Sequence, residues 1–352
     1  MSTIARAQRR SAAGRLGRGA GVAVVFNLQA RKVTFAAVEA VGRALPDAAL
    51  VVTRSLSECR HEVQRLAARK TPVRLLLSAG GDGAVSALIN AWAITKTPLP
   101  PLGLLPLGTG NAWAHATHAP KLEVLLDELP TLRWPLPTRR FTLLDVGGTL
   151  CQFAGTGWDA KLLADYRRHK ESAAGRLLPR PLREGLLGYL TAGFRFTVPE
   201  SFSRRRAIAR VTSDEKWWSL GPREELLQQP PGAVWRGAYS VLAMGTTPQF
   251  GFHFEAFPFA SEVPGTINLR VYDRPIWRAV PMLPRLWRGA HPLAGMHDFF
   301  VKRVRITVDP PMPFQLAGDA AGTRDTLEVR LADTSVDVVD WLGATWPWGK
   351  PS

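Results

Sequence analysis

Residues 73–83 read Val73-Arg74-Leu75-Leu76-Leu77-Ser78-Ala79-Gly80-Gly81-Asp82-Gly83. Their aliphatic run predicts a buried strand that ends in a glycine turn, and helical spacing follows from Ala84 to Thr95. A second aliphatic run, Leu102–Leu105, leads into the turn Gly108-Thr109-Gly110-Asn111. Backbone N–H groups exposed at such turns can hold phosphate. The pattern indicates phosphoryl transfer, with Asp82 placed where a metal–nucleotide complex would be handled.

On either side of this turn, strand and helix patterns alternate through the first part of the chain. Gly21–Phe26 and Ala49–Thr53 are typical of buried strands, and Thr34–Leu45 and Ser57–Arg69 have helical spacing. Alternation at this spacing predicts a parallel sheet with helices on both faces. Ligands of such sheets bind at the carboxyl ends of the strands, where both glycine turns fall.

The pattern changes in the proline-dotted stretch from Pro120 to Pro137. Beyond it, short strand-like runs bounded by Gly, Pro or Asp predict an antiparallel β domain with helices inserted near residues 160–170 and 182–196. We therefore expect a basic flexible tail over residues 1–20, an α/β nucleotide domain over 21–135 and a β domain over 136–346.

Charge and composition narrow the partners and the compartment. The 352 residues carry 45 Lys and Arg against 29 Asp and Glu, a net charge of +16 that suits nucleic acid, an anionic lipid surface or a phosphorylated substrate. Two cysteines, Cys59 and Cys151, are too few for a disulfide scaffold, which favours a reducing compartment. No apolar run approaches the roughly 18 residues that span a bilayer. Residues 1–20 lack the apolar core of a secretory signal, so a basic tail or a transit peptide stays open.

Three motifs in order carry a family resemblance: Gly80–Gly83, Gly103–Asn111 and Gly155–Ala160. The set resembles the diacylglycerol kinase catalytic-domain family, which includes bacterial lipid kinases, sphingosine kinases and ceramide kinases. The similarity extends to Ala317-Gly318-Asp319 and covers roughly residues 20–332. It implies a three-layer α/β domain like that of NAD kinase and phosphofructokinase, followed by a β-sandwich domain, with ATP, Mg²⁺ and lipid in the cleft.

The resemblance also assigns roles to residues. For the lipid site it implies Asp159 at the head group and Asp319 as the general base that accepts the hydroxyl proton, with Asp82 as the alternative base and a partner of Mg²⁺. Arg31 replaces a family glycine in the first phosphate turn and could supply charge instead. The residues implied in nucleotide binding are Asn27, Arg31, Thr53, Gly80, Gly81, Asp82, Gly83, Gly108, Thr109 and Asn111.

The chain departs from the family pattern at several of these places. Leu28 and Arg31 replace the proline and glycine of the first turn, and Ala317 replaces an acid beside Asp319. Ala84 and Ala87 stand where the family has threonine and glutamate. Such losses leave the fold unaffected and bear on the catalytic rate, on metal handling and on the choice of substrate.

The most direct interpretation is an ATP-dependent kinase of a membrane lipid, located in the cytoplasm and in peripheral contact with an anionic membrane, with no nucleic-acid partner. A non-catalytic lipid- or nucleotide-binding relative and an NAD-kinase-like small-molecule kinase are the alternatives. Asp82 and Asp159 could be helix caps, Asp319 a turn acid, and Asp145 either a buried structural acid or part of a metal network. The Trp- and Arg-rich segment Pro275–Arg288 suits either interfacial lipid contact or packing on the β domain. The sequence leaves open which lipid is used and which oligomer forms.

Overall fold

The computed structural model describes residues 15–30, 32–108, 111–172, 179, 182, 185–203, 206–248 and 254–342. The chain forms two compact units, which we call the first unit (Met1–Phe141 with Ser335–Ser352) and the second unit (Thr142–Thr334). The division differs from the predicted one, which placed the boundary at residues 135 and 136 and kept everything up to 346 in the second domain. The chain instead returns to the first unit at Ser335, inside a long strand whose hydrophobic pattern gives no sign of the change.

The first unit is built on a parallel sheet. Its strands are β1 (Val22–Asn27), β2 (Ala49–Thr53), β3 (Leu75–Gly80) and β4 (Leu102–Pro106). They lie in the order β2-β1-β3-β4, and every neighbouring pair is parallel. Leu102 of β4 also pairs in parallel with Val338, near the end of the last strand. The α/β class predicted from the alternating pattern is confirmed.

Helices connect these strands. They are α1 (Phe35–Ala44), α2 (Leu56–Ala67), α3 (Asp82–Ala93), α4 (Ala112–Ala116) and α5 (Leu122–Glu128), followed by a 3-10 turn, Leu129–Thr131. Thr34 and Ser55 begin the first two helices, since their hydroxyls accept the N–H groups of Ala37 and Glu58. Phe26 of β1 and Leu77 of β3 are fully buried, and Trp341 belongs to the same core.

The predicted tail is shorter than residues 1–20. Leu16 is 4% exposed and its N–H donates to the carbonyl of Leu132, while Arg18 pairs with Asp47. Residues 15–20 therefore pack on the first unit, because Leu16 adds an apolar side chain to its core. Residues 1–14 lie outside the described residues.

The second unit is antiparallel. Its strands include β7 (Phe153–Gly157), β8 (Ile208–Ser213), β9 (Trp217–Leu220), β10 (Leu226–Gln229), β11 (Gly232–Ala238), β12 (Val241–Gly245), β13 (Ile267–Tyr272), β14 (Met296–Val301), β15 (Arg303–Leu316) and β16 (Asp319–Val339). Along the order β10-β9-β14-β13-β12-β7-β15-β16 all neighbours are antiparallel, and β8 pairs with both β15 and β11. Two more, β5 (Thr138–Val146) and β6 (Thr149–Cys151), form a hairpin at its start. The predicted β domain is confirmed.

Helical segments are inserted between the strands of the second unit. They are α6 (Trp158–Glu171), α7 (Gly185–Ala192), a π-helical turn (Gly193–Thr197), α8 (Val198–Ser203), a 3-10 helix (Ile276–Met282) and α9 (Leu283–Trp287). The first three lie where the sequence predicted inserted helices. Within the described residues, no helix is both long enough and apolar enough to cross a bilayer.

Candidate functional site

The strand order places a crevice at the carboxyl edge of the first unit. Because β1 lies between β2 and β3, the connections leave β1 and β3 in opposite directions, and ligands of open α/β sheets bind at such a point. Asn27 ends β1 and Gly80 ends β3. A Cβ atom built on Gly80 would lie 3.6 Å from the Cβ of Asn27, so the two predicted residues are neighbours at this edge.

The two glycine turns meet at the same edge. A Cβ atom on Gly108 would lie 2.3 Å from the Cα of Gly81, and one on Gly81 would lie 3.1 Å from the Cα of Gly108. Neither position can hold a side chain unless the backbone moves, so close approach of the two turns requires glycine. The convergence that the sequence predicted for the turns is present.

Asp82 joins the two turns. It is the first residue of α3, and its Oδ1 accepts the N–H of Trp113, in the first turn of α4, at 3.1 Å. Burial raises the pKa of this carboxyl group, and hydrogen bonds from the backbone N–H groups of Ala112 and Trp113 oppose that rise. The capping role considered from the sequence is therefore real, but the helix that Asp82 caps is α4.

The amino end of α3 is a candidate anion site of the first unit. Gly81, which precedes it, has no side chain that could cap the helix, and the Asp82 carboxyl group accepts its own backbone N–H. The first N–H groups of a helix have no partner within the helix, and the helix dipole favours negative charge there. Asp82 and Gly83 lie in this first turn, and phosphate binding there stays a prediction.

The second turn is less open than predicted. The N–H of Gly108 donates to Oδ1 of Asn111 at 3.1 Å, and Nδ2 of Asn111 donates back to the carbonyl of Gly108 at 3.1 Å. Asn111 has a φ of 51°, in the left-handed region that asparagine tolerates better than most residues. In this arrangement the N–H of Gly108 already has an acceptor, and its contact with phosphate stays a prediction. Thr109 and Gly110 lie outside the described residues.

Two other predicted nucleotide contacts have local structural partners. Oδ1 of Asn27 accepts the N–H of Gln29 at 3.0 Å, which closes the turn after β1. Thr53 is 3% exposed, and its hydroxyl donates to the carbonyl of Phe26 at 3.1 Å. The hydroxyl is therefore used between β1 and β2, and the nucleotide contact of Thr53 stays a prediction. Arg31 lies outside the described residues.

The second unit holds the two acids implied at the lipid site. Asp159 lies in the first turn of α6, and its Oδ2 accepts from Nε2 of Gln315 at 3.2 Å. Burial raises the pKa of Asp159 to about 6, against the opposing effect of its hydrogen bonds to the Ala160 N–H and to Gln315. Its Oδ1 is buried and has no hydrogen-bond partner among the described residues.

Gln315 continues this network to Asp319. Its Oε1 accepts the N–H of Gly318 at 3.0 Å, in the turn of Ala317 and Gly318 that precedes Asp319. The Asp319 side chain is 69% exposed and lies 3.3 Å from a guanidinium nitrogen of Arg167, on α6. Sequence reasoning missed Gln315, although an amide within the apolar run Phe314–Ala317 was a signal of a buried polar contact.

Asp145 is a structural acid. Its Oδ2 lies 2.6 Å from a guanidinium nitrogen of Arg330, and its Oδ1 accepts the N–H of Gly148 at 2.8 Å. The described residues contain no group of three or more His, Cys, Asp or Glu side chains that could hold a metal ion. Of the two roles considered from the sequence for Asp145, the contacts support the structural one.

The sequence of the first unit is similar to that of a known protein family. Residues 22–131 match the family described as "Diacylglycerol kinase catalytic domain". The matched region contains the crevice, both glycine turns and Asp82, whereas Asp159 and Asp319 lie beyond it. The resemblance stated from the motifs is confirmed for this region.

Two curated diacylglycerol kinases of Staphylococcus epidermidis, from strains RP62A and ATCC 12228, are each 30% identical to the chain over 128 residues. The match covers 31% of this chain and 40% of each relative, so the chain aligns with less than half of their length. Two crystal structures from Bacillus anthracis str. Sterne, a candidate diacylglycerol kinase and a diacylglycerol kinase, superpose with TM-scores of 0.60 and 0.55. They are 14% and 13% identical, and each alignment covers 90% of this chain and 96% of the other, which shows a shared fold.

Proposed function

We propose that this protein is a lipid kinase that transfers the γ-phosphate of ATP to a hydroxyl group of a membrane lipid. The observation that carries the proposal is the convergence of the Gly81 and Gly108 turns around Asp82, inside the region that matches the catalytic-domain family. Glycines that let two strand-end turns touch, with a carboxylate between them, suit a nucleotide triphosphate better than they suit a purely structural turn.

The nucleotide end of the reaction would use the first unit. The N–H groups of Asp82 and Gly83 would donate to phosphate oxygens at the amino end of α3, whose twelve residues give it a full helix dipole. Asn27 and Gly80 would line the crevice beside them. These residues would hold the phosphates in place while Asp82 keeps the amino ends of α3 and α4 together.

Mg²⁺ fits Asp82 as a partner that arrives with the nucleotide. Mg²⁺ in kinases is commonly held by one or two carboxylates together with phosphate oxygens and waters, and Asp82 offers one carboxylate at the turns. The bound Mg²⁺–ATP complex would supply the phosphoryl group and neutralise charge on it. A nearby cation would also favour the ionised form of Asp82, whose pKa is raised by burial.

The lipid end would use the second unit. The buried Oδ1 of Asp159 has an unused acceptor position that a hydroxyl or ammonium group of a lipid head group could fill. Asp319, exposed and held by Arg167, would accept the proton of the attacking hydroxyl. A diacylglycerol or a sphingoid-like lipid satisfies these contacts equally. The enzyme would act in the cytoplasm, where its positive net charge would attract it to the anionic inner face of the membrane.

A transfer assay tests the proposal. The purified chain is incubated with γ-labelled ATP, Mg²⁺ and a total lipid extract, and the products are separated and identified by mass spectrometry. A labelled lipid that disappears in an Asp82→Asn variant is the expected result. Label on a water-soluble metabolite would indicate a small-molecule kinase like NAD kinase. ATP binding without transfer would indicate a non-catalytic relative, and either outcome would overturn the proposal.

A further inference from the structure

The segment Ile276–Trp287 presents three distinct rows of side chains. It is a 3-10 helix up to Met282 and an α-helix from Leu283. Side chains three apart align in a 3-10 helix and side chains four apart align in an α-helix. The inner row is Ile276, Ala279, Met282 and Leu286, and the outer row is Trp277, Val280, Leu283 and Trp287.

The outer row is apolar and in contact with solvent. Ala279 of the inner row is buried, whereas the exposed fractions of Trp277, Val280, Leu283 and Trp287 are 46%, 60%, 46% and 38%. Two large indoles and two aliphatic side chains in one line form a surface that soluble proteins seldom leave uncovered without a partner. We call these four residues the outer ridge.

The third row is basic. Arg278, Arg285 and Arg288 flank the outer ridge and are exposed, and none of the three pairs with a carboxylate within the part of the chain that the structure describes. The guanidinium of Arg278 lies 5.1 Å from the ring centroid of Trp277, so cation and indole are presented together. The sequence from Arg274 to Met296 contains no Asp or Glu. The surface therefore combines exposed apolar side chains with three exposed arginines.

We propose that the outer ridge and its three arginines bind the surface of an anionic lipid bilayer. Tryptophans favour the boundary between head groups and acyl chains, and neighbouring arginines reach the phosphates of the head groups. A second copy of the chain fits less well, because a two-fold contact through the ridge would bring identical arginines together. The inference deepens the proposed function and rests on it for the lipid substrate, since it names the surface by which the enzyme would reach a membrane.

Vesicle binding without ATP tests this surface separately from catalysis. The full chain is sedimented with sucrose-loaded vesicles of phosphatidylcholine alone, or of equal parts phosphatidylcholine and phosphatidylglycerol. We expect tight binding to the mixed vesicles. Arg278→Gln, Arg285→Gln and Arg288→Gln together should weaken that binding on the order of 100-fold, at about five-fold for each arginine. Trp277→Ser with Trp287→Ser should weaken binding to both kinds of vesicle.

Matched controls remove the same chemistry elsewhere in the second unit. Leu226→Ser with Leu227→Ser removes two exposed apolar side chains, and Arg223→Gln, Arg236→Gln and Arg303→Gln remove three exposed charges. These controls should bind vesicles as the wild type does, and thermal unfolding checks that all variants fold. Equal binding by the ridge variants and the wild type, or equal losses in the controls, would overturn the proposal.

Two further outcomes separate this inference from its alternatives. Light scattering that shows a dimer broken by the tryptophan pair, with vesicle binding unchanged, would assign the ridge to self-association and overturn the proposal. Vesicle binding that depends on the ridge, in a chain that phosphorylates no lipid, would support the surface while the proposed kinase activity fails. Ridge variants should phosphorylate a short-chain, water-soluble diacylglycerol as the wild type does.

Discussion

Gln315 donates its side-chain N–H to Oδ2 of Asp159 at 3.2 Å, and its own carbonyl oxygen accepts the N–H of Gly318 at 3.0 Å. Gln315 is fully buried and both hydrogen bonds are partly buried, and a hydrogen bond is electrostatically stronger inside a protein than in water. One amide thereby holds the acid implied at the lipid head group and the turn that leads to Asp319. The two acids are 160 positions apart in the sequence and lie on different elements, α6 and β16, which Gln315 connects within the second unit.

We predict that Gln315→Leu destabilises the protein and weakens lipid use. Leucine has a similar volume but leaves the N–H of Gly318 without its acceptor, at about 1–3 kcal/mol, and removes one of the donors to Asp159. Urea unfolding measures the loss, and KM for lipid against KM for ATP locates it. Gln315→Glu is the matched variant, since it still accepts from Gly318 but cannot donate to Asp159. Unfolding of Gln315→Leu at the wild-type midpoint would contradict the network.

Asp159 should give the protein a stability that depends on pH. Burial raises its pKa to about 6, so the folded protein holds a proton that the unfolded chain releases near pH 4. The folded state binds more protons between these values, and its free energy of unfolding therefore falls as the pH rises from 4 to 6. The raised pKa corresponds to about 3 kcal/mol at most.

Asp159→Asn isolates this effect. The amide cannot ionise, so the variant should lack the contribution, and its advantage over the wild type should grow from pH 4 to pH 6 and then stay constant. Urea unfolding of both proteins across this range measures the difference. The same difference at every pH would show that Asp159 does not titrate in this window.

The contact between the glycine turns predicts a graded response to alanine. A Cβ atom added to Gly108 would lie 2.3 Å from the Cα of Gly81, whereas one added to Gly81 would lie 3.1 Å from the Cα of Gly108. Gly108→Ala should therefore be the more damaging variant for both stability and ATP binding. Gly103→Ala is the control, because its Cβ would meet the flexible end of Leu77 and not the turns. It should lower the unfolding midpoint and leave the affinity for ATP unchanged, as isothermal titration would show. Equal ATP affinity in all three variants would separate the turns from the nucleotide site.

The parallel sheet and its turns were predictable because strong local patterns agree with each other. The aliphatic runs of β1, β3 and β4 are buried on both sides, so composition alone marks them as strands. The glycines at 81 and 108 were visible as turn residues, and the strand order then brings them to one edge. The sequence shows where chain direction changes, and parallel topology determines which changes become neighbours.

Side-chain partners could not be predicted in the same way. Thr53 and Gly108 matched family positions, yet the structure gives their hydrogen bonds to Phe26 and Asn111. Gln315 matched no position of the family pattern, and nonetheless it connects Asp159 to the turn that precedes Asp319. A hydrogen bond depends on which atoms a fold brings within about 3 Å, and this information is spread over the whole chain. The return of the chain to the first unit at Ser335 has the same origin, since it depends on pairing with β4.

Asp82 has two roles that substitution can separate. Asparagine keeps an oxygen that accepts the N–H of Trp113 and removes only the charge. Asp82→Asn should therefore unfold at or above the wild-type midpoint at pH 7, since burial disfavours the ionised carboxylate. Asp82→Ala removes the acceptor as well and should lose about 1 kcal/mol, the cost of a missing helix cap.

Lipid phosphorylation should respond differently from stability. Both variants lose the negative charge at the turns, so both should lose at least about 100-fold in kcat, the scale expected when a charged group is removed from a phosphoryl-transfer site. Initial rates with labelled ATP, measured below the unfolding temperature of each variant, give the comparison. Turnover by Asp82→Asn at the wild-type rate would restrict Asp82 to capping α4. Equal unfolding midpoints for the asparagine and alanine variants would instead show that Asp82 does not stabilise α4 as a cap, so that its charge would be its only contribution.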